Sequence, residues 1–385
     1  TSLQPGFRAR NPGCSDVAIG GVTLEGFCTG STNALAAAVS PRWSDTLFRT
    51  PEPDWYGGQP SGWTLYDSHL RGLGSCPNGF SFGNNGAAVN VTATGYTRTG
   101  FGLDRVTGGG LIDGCRLWGN ATNPATGQFA DGADTKMVFP NAGKGVTDVE
   151  PDLHVAAPAE FLVTRTVFNG VAPDGKPGSP IGLWVDLDGH LVRVAHCEFH
   201  GYQWAGVVFE LASQVVVEDS LFKGCGGYGA SFNEDFVLGA LTFAETCHGV
   251  ARRNRFEGCG VPVVVRQSNR TVDMARAPQR KYDVNYGWRG APWPGDVNRP
   301  WIDPNYQTAN PPHGMSNLAA AEIDIEDNTV DGGRVVVNAG TVRGGHDVQA
   351  AARALLPSIR FRGNVYGAAV RFDELDRTGM TLTQW

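Results

Sequence analysis

Two short runs of similar sequence lie within Gly182–Leu211, GLWVDLDGHLVRVAHCEFHGYQWAGVVFEL. The runs are GLWVDL and GVVFEL, and each has a carboxylate at its fifth position, Asp186 and Glu210. Paired carboxylates of this kind can share general acid/base and nucleophilic work in glycoside hydrolysis. For this chemistry the fold must bring Asp186 and Glu210 side by side.

A five-residue pattern recurs along the chain: a small residue, any residue, an apolar residue, any residue, then glycine. An alternating apolar stretch, typical of a half-buried strand, precedes most copies. Such a repeat predicts a solenoid in which small residues and Phe residues stack in internal ladders. The copies are Ser68–Gly72, Cys115–Gly119, Thr166–Gly170, Cys197–Gly201, Ser220–Gly224, Asn254–Gly258 and Asn328–Gly332.

The repeat predicts an all-β fold, a right-handed parallel β-helix forming one domain over residues 1–385, with a β-sandwich as the alternative. Loop insertions are expected near residues 140–160 and 270–316, where the repeat breaks. The second insertion is rich in aromatic residues, among them Trp288, Trp293 and Trp301. Loops of such length in compact proteins are usually functional, and here we expect them to wall a groove.

Alignment of the two runs on Gly182 and Gly206 predicts that they are the same strand on successive coils. Period-two alternation then places Leu183, Val185 and Leu187 inward, and Trp184, Asp186 and Asp188 outward. Glu210 follows on the next coil, with its backbone ~5 Å from that of Asp186. Like charges so close destabilise a sheet, and one carboxyl should have a raised pKa. The alternative is two solvated acids on an exposed sheet.

Other residues are predicted to extend this site as substrate-binding groups. Alignment of Gly239 with Gly206 places Phe243 beside the carboxylates and Glu245 beside Asp188. Upstream, the ADGADTK run is expected to bring a cation to the preceding coil, although Lys136 in it could equally be an ordinary surface lysine. The predicted substrate-binding residues are Trp184, Asp188, Asp131, Lys136, Glu245, Trp204 and Arg266. Core packing is the alternative for the tryptophans.

The run around Trp184 and Asp186, followed one coil later by Glu210, resembles the β-helix glycoside hydrolases, notably the β-xylosidases of glycoside hydrolase family 120. The DGADTK segment is similar to their EAGGTK run, and the likeness covers about residues 128–270. The resemblance implies that Asp186 is the nucleophile and Glu210 the acid/base, with Asp131 and Lys136 near the site. It does not identify the sugar.

Three functions remain open from the sequence. The first is a retaining glycoside hydrolase, whose carboxylates stand ~5–5.5 Å apart, against ~6.5–9.5 Å for inverting enzymes. The second is a polysaccharide lyase or epimerase acting on a uronate, with Lys136, Arg266 and Arg193 as cations and Ca²⁺ as a cofactor. The third is a non-catalytic glycan-binding β-helix.

The composition of the chain argues against nucleic acid and membrane partners. The net charge is −7 and no basic run stands out, so we expect no nucleic acid partner. No apolar segment reaches the ~20 residues of a membrane helix, so no membrane partner is expected. The eight cysteines form no CxxC pair, and no metal site is predicted. Glycoside hydrolysis by two carboxylates needs no cofactor, so none is expected if the protein is a hydrolase. Sequons at Asn90, Asn120 and Asn269 lean towards a secreted protein; the oligomeric state is left open.

Overall fold

In a computed structural model of the chain, the described residues form two long sheets wound into a coil. These residues are 7–8, 16–25, 37–40, 62–71, 78–81, 85–96, 99–102, 109–119, 131–135, 161–171, 175, 179–186, 190–210, 212–226, 237–267, 320–339, 356–374 and 377–385. They contain thirty strands, numbered in chain order, and one 3₁₀ turn at Leu356–Ser358.

The first sheet has 12 strands, and it carries both carboxylates of interest. Its strands, in spatial order, are β1 (Phe7–Arg8), β4 (Ala37–Ser40), β6 (Asn78–Ser81), β8 (Thr99–Gly102), β11 (Asp131–Thr135), β14 (Ile181–Asp186), β17 (Ala205–Glu210), β20 (Leu241–Ala244), β23 (Val263–Gln267), β26 (Arg334–Ala339), β29 (Arg371–Glu374) and β30 (Arg377–Met380). All neighbours pair in parallel except β29 and β30, which are antiparallel.

The second sheet has 18 strands and bends into two ribbons. One ribbon comprises β2 (Ala18–Gly20), β5 (Thr64–Arg71), β7 (Ala87–Thr94), β9 (Gly110–Asp113), β12 (Phe161–Thr164), β15 (His190–Ala195), β18 (Ser213–Glu218), β21 (Cys247–Arg252), β24 (Ala321–Glu326) and β27 (Ile359–Arg362). The other comprises β3 (Thr23–Glu25), β10 (Arg116–Trp118), β13 (Val167–Asn169), β16 (Glu198–His200), β19 (Leu221–Lys223), β22 (Arg255–Glu257), β25 (Thr329–Val330) and β28 (Val365–Tyr366), with β5 and β7 spanning both.

Each complete coil therefore contributes three strands, one to each ribbon and one to the 12-stranded sheet. The predicted fold class, a right-handed parallel β-helix, is confirmed; the right hand is that of nearly all parallel crossover connections. The single-domain assignment stays a prediction. Both predicted insertions, near residues 140–160 and 270–316, lie outside the described residues, as do Trp288, Trp293 and Trp301.

The predicted internal ladders are present. Four phenylalanines of the repeat, one per coil, stack with centroid separations of 4.7, 5.0 and 4.9 Å: Phe168, Phe199, Phe222 and Phe256. These separations match the spacing of neighbouring parallel strands. All four rings are fully buried, so each ring covers the faces of the rings above and below it.

Each small residue of the repeat directly follows a corner of the coil, and its side chain accepts a hydrogen bond from a backbone N–H group near that corner. The residue before each small one has a left-handed φ between 46° and 61°: Asp67, Gly114, Arg165, His196, Asp219, Arg253 and Asp327. Asn90 and Gly363 adopt the same conformation before Val91 and Asn364, with φ of 52° and 64°. The small side chains accept hydrogen bonds from backbone N–H groups one coil away, as when Asn328 Oδ1 accepts from Asn254 N at 2.8 Å. Buried backbone donors need such partners, which explains the preference for Ser, Thr and Asn here.

Candidate functional site

The strand register confirms that Asp186 and Glu210 occupy equivalent positions on successive coils. Strand β14 pairs with β17 in parallel, and Asp186 lies directly opposite Glu210. Adjacent parallel strands stand ~4.8 Å apart, so the two backbones are close enough for their carboxyl groups to meet. The side chain of Asp186 lies outside the described part of the structure.

The predicted alternation of faces also holds where it can be followed. Leu183, Val185, Val207 and Phe209 are fully buried in the main core, inside the coil. Trp184 lies on the opposite face of β14 and contacts a separate apolar cluster outside the coil. Leu187 and Asp188 lie outside the described residues.

Glu210 is not a solvated surface acid. Its side chain is only 4 % exposed. The Trp184 indole Nε1–H donates a hydrogen bond of 2.9 Å to Glu210 Oε2. On the other oxygen, the Arg266 guanidinium Nη2 lies 3.9 Å from Oε1. The alternative of an exposed acid is therefore wrong for Glu210.

The predicted alignment of the next coil was wrong by one residue. Strand β20 pairs with β17 so that Phe243 lies opposite Phe209, and Ala244 lies opposite Glu210. Gly239 matches Gly206 by residue type, but Ala240 occupies the equivalent position. Packing decides the register, because Phe243 must point inward to stack on Phe209, with ring centroids 5.8 Å apart.

Glu245 still reaches the site, by a different route. It directly follows β20 and adopts a left-handed φ of 46°. Its backbone N–H donates to the Arg266 carbonyl oxygen at 3.0 Å. Its fully buried side chain places Oε2 3.8 Å from Arg266 Nη2. Arg266 therefore lies between two buried carboxylates, those of Glu210 and Glu245.

A small cavity opens beside this charged group. It has a volume of about 30 Å³, which is room for about two water molecules. Glu210 and Arg266 are among the residues that line it, and so are Trp184 and Trp204, which are half-buried. The apolar lining residues, Ile181, Val208 and Leu238, are the part of the site that sequence reasoning missed. Val208 follows from the same alternation as Trp184, because it is the residue opposite Trp184 in the register.

The upstream residues are only partly located. Strand β11 pairs with β14, with Asp134 opposite Trp184, so the ADGADTK run does lie on the preceding coil. Asp131 begins that strand, three residues before the level of Trp184, and its side chain is not among those described. Lys136 lies outside the described residues.

Two of the three cations predicted for a uronate, Arg193 and Arg266, lie on different sheets, and the third, Lys136, lies outside the described residues. Arg193 lies in β15 of the 18-stranded sheet, where its guanidinium pairs with Glu218. Arg252 and Arg253 bind the same carboxylate, at 2.7 and 2.9 Å. Burial alone would raise the pKa of Glu218, but the Arg252 and Arg193 hydrogen bonds outweigh it and lower that pKa below its ordinary value.

The described residues were also compared with the requirements of a metal site and of a membrane-spanning helix. They contain no group of three or more His, Cys, Asp or Glu side chains arranged to hold a metal ion. Within the same residues, no helix is long and apolar enough to cross a membrane. What the site offers chemically is a buried carboxylate held by an indole donor beside a guanidinium, with a second carboxylate one coil away in register.

Comparisons with known proteins give few matches. No known protein family matches the sequence, and no curated protein matches it. Among solved structures, the chain is similar to PfbA, a surface adhesin of Streptococcus pneumoniae, at 10 % identity and a TM-score of 0.35, over 81 % of this chain and 68 % of that one. It is also similar to the catalytic unit of a thermostable GH87 alpha-1,3-glucanase from Streptomyces thermodiastaticus, at 9 % identity and a TM-score of 0.36, over 100 % of this chain and 65 % of that one.

Proposed function

We propose that this protein is a carbohydrate-active enzyme, a glycoside hydrolase of the retaining class with Asp186 and Glu210 as its carboxylate pair. The observation that carries the proposal is the register of β14 and β17, which sets the two residues directly opposite each other. Neighbouring strands ~4.8 Å apart suit the ~5–5.5 Å separation of retaining enzymes better than the ~6.5–9.5 Å of inverting ones.

The surroundings of Glu210 support a functional role. Burying a carboxylate costs free energy, and Glu210 is buried on the outward face of its strand, opposite to the inward residues of the main core. A buried acid beside a cavity is a candidate for a functional group. The half-buried rings of Trp184 and Trp204 offer apolar faces on which a sugar ring can stack, outside the small cavity.

In this mechanism, one carboxylate attacks the anomeric carbon while the other protonates the leaving oxygen, and the second then activates water to release the sugar. The resemblance noted in the sequence assigns the nucleophile to Asp186 and the acid/base to Glu210. Asp131, Lys136 and Asp188 remain predicted substrate contacts. No cofactor is required by this chemistry, and a secreted location suits a glycan substrate.

The test is product release from a panel of xylan, arabinan, α- and β-glucans, pectin and aryl glycosides. Wild type should release reducing ends whose first-formed anomer, read by proton NMR, keeps the configuration of the substrate. Asp186→Asn and Glu210→Gln should each reduce turnover at least 1,000-fold. Glu198→Gln is the matched control, because Glu198 is a half-exposed acid on the other sheet. Equal turnover in wild type and both site variants would refute the assignment.

A non-catalytic glycan-binding solenoid is the second candidate, favoured by one observation. Glu210 is almost completely covered, which leaves little carboxylate surface for a reacting bond. A non-catalytic binding protein would bind one glycan of the panel without turning it over, and Glu210→Gln would bind that glycan equally well. A lyase or epimerase would instead release an unsaturated or epimerised uronate, detected by ultraviolet absorbance or NMR and tested with EDTA.

A further inference from the structure

The outward face of the 12-stranded sheet contains a row of four equivalent positions near the site. Asp186, Glu210, Ala244 and Arg266 lie opposite one another on successive strands. Ala244 therefore separates Glu210 from Arg266 by two strand spacings, about 9.6 Å. The Arg266 side chain spans this distance and brings Nη2 to 3.9 Å from Glu210 Oε1. Only a small residue at position 244 leaves that path open.

Arg266 is held from a second direction. Glu245 Oε2 lies 3.8 Å from the same Nη2 atom, and the Glu245 backbone N–H donates to the Arg266 carbonyl oxygen. Glu245 thus contacts both the main chain and the guanidinium of Arg266. Its left-handed backbone, uncommon for a residue other than glycine, is what directs the chain at this point.

Both side chains are almost completely buried. The side chain of Arg266 is 1 % exposed and that of Glu245 is 0 % exposed. The Glu210 side chain is slightly more exposed, at 4 %. Direct substrate binding by Arg266 and Glu245 stays a prediction, but their burial favours a role that acts through Glu210.

We propose that Arg266 and Glu245 are positioning residues that fix the Glu210 carboxylate. The small side chain of Ala244 leaves the space through which the Arg266 side chain reaches Glu210. The inference rests on the proposed function of Glu210. Arg266 attracts Oε1 while the Trp184 indole holds Oε2, so the carboxyl plane is restrained at both oxygens. Restraint of this kind matters because a misplacement of about 1 Å at a reacting group can reduce turnover ~100-fold.

Two variants test the proposal. Ala244→Leu fills that space without changing any charge. The double variant Arg266→Met/Glu245→Gln removes the cation together with one of its two carboxylates, so that Glu210 is the one acid of this group that loses its cation. Each should lower kcat ~100-fold on the substrate that wild type turns over, with KM within about threefold. Arg266→Lys should recover part of kcat. The control is Val264→Ala, a buried outward residue on the same strand that belongs to a separate apolar cluster.

A second readout does not depend on turnover. The chain has ten tryptophans, and in protein labelled with ¹⁵N-tryptophan the indole signal of Trp184 can be identified by its loss in Trp184→Phe. We expect this signal to move in Ala244→Leu and in the double variant, and to stay in place in Val264→Ala.

The outcomes separate the two ideas. An unmoved Trp184 signal in a folded double variant would overturn the positioning role, whether or not a substrate is found. A raised KM with unchanged kcat would also overturn it, in favour of direct substrate binding. A moved signal in a protein whose wild type turns over no glycan would support the positioning of Glu210 and refute the glycosidase assignment.

Discussion

Replacing Glu210 by glutamine should leave the fold as stable as wild type, or stabilise it, while turnover is lost. With both acids ionised, the Glu210–Arg266 attraction at 3.9 Å is about 4 kcal/mol at an effective dielectric constant of about 20. Glu210 and Glu245 both lie within 3.9 Å of one nitrogen, so their oxygens are at most about 8 Å apart. Their repulsion is then at least about 2 kcal/mol.

The substitution removes both terms and also the desolvation penalty of Glu210, which is several kcal/mol per buried ion. Arg266 keeps Glu245 as its partner, and the new amide oxygen can still accept the Trp184 hydrogen bond. The net change in unfolding free energy should therefore lie between a loss of about 1 kcal/mol and a gain of about 2 kcal/mol. Arg266→Met is the contrasting variant. It leaves two buried carboxylates without their cation, at a cost of about 3–5 kcal/mol.

Thermal unfolding followed by circular dichroism at one scan rate is the assay. A chain of 385 residues has an unfolding entropy near 2.1 cal/mol/K per residue, so 1 kcal/mol corresponds to about 1 °C in Tm. Glu210→Gln should therefore shift Tm by about −1 to +2 °C, and Arg266→Met should lower it by about 3–5 °C. If both variants lower Tm equally, Glu210 is a structural counter-ion of Arg266, and the argument from its burial fails.

Three further predictions concern the rest of the molecule. Phe222→Ala should cost about 3–5 kcal/mol, because the ring is stacked on both faces within the ladder; a denaturation midpoint equal to that of wild type would contradict the ladder's role. A hydrogen bond from Arg360 lowers the pKa of Asp324 in the folded state, so its stabilisation, on the order of 1 kcal/mol, is present above about pH 4 and is lost as the pH falls further. Tm values of wild type and Asp324→Asn should accordingly differ at pH 7 and converge near pH 3, and a constant difference would count against this. Burial raises the pKa of Cys115, Cys197 and Cys225 to about 12, so mass spectrometry should find these thiols unmodified by iodoacetamide in the native protein at pH 8, and early modification would show that the core opens.

The parts of the fold that repeat could be predicted from the sequence. The Phe ladder, the small-residue ladder and the Asp186–Glu210 register all follow from side chains that must stack on their equivalents one coil away. A glycine match was not enough to align the next coil, because inward packing of Phe243 sets the register there. Period-two alternation was the stronger signal, and it would have placed Ala244 opposite Glu210.

The burial of the outward face could not be predicted in the same way. Leu238 belongs to the apolar cluster outside the coil and lines the same cavity as Glu210. The segment that carries Leu238 has no counterpart in the repeat, so the repeat does not predict where this segment packs. The Arg266–Glu245 contact was also beyond the sequence, since it depends on a left-handed backbone at Glu245 that is not glycine.

The left-handed corner that recurs from Asp67 to Gly363 makes the coil a modular unit. A duplicated or deleted coil would meet its neighbours with the same corner and the same ladders, so the solenoid can gain or lose length in steps of ~4.8 Å without a new fold. The charged row does not share this freedom. One extra coil between β14 and β17 would double the spacing of Asp186 and Glu210. Growth of such a protein by duplication should therefore be confined to the parts of the chain before β14 or after β23.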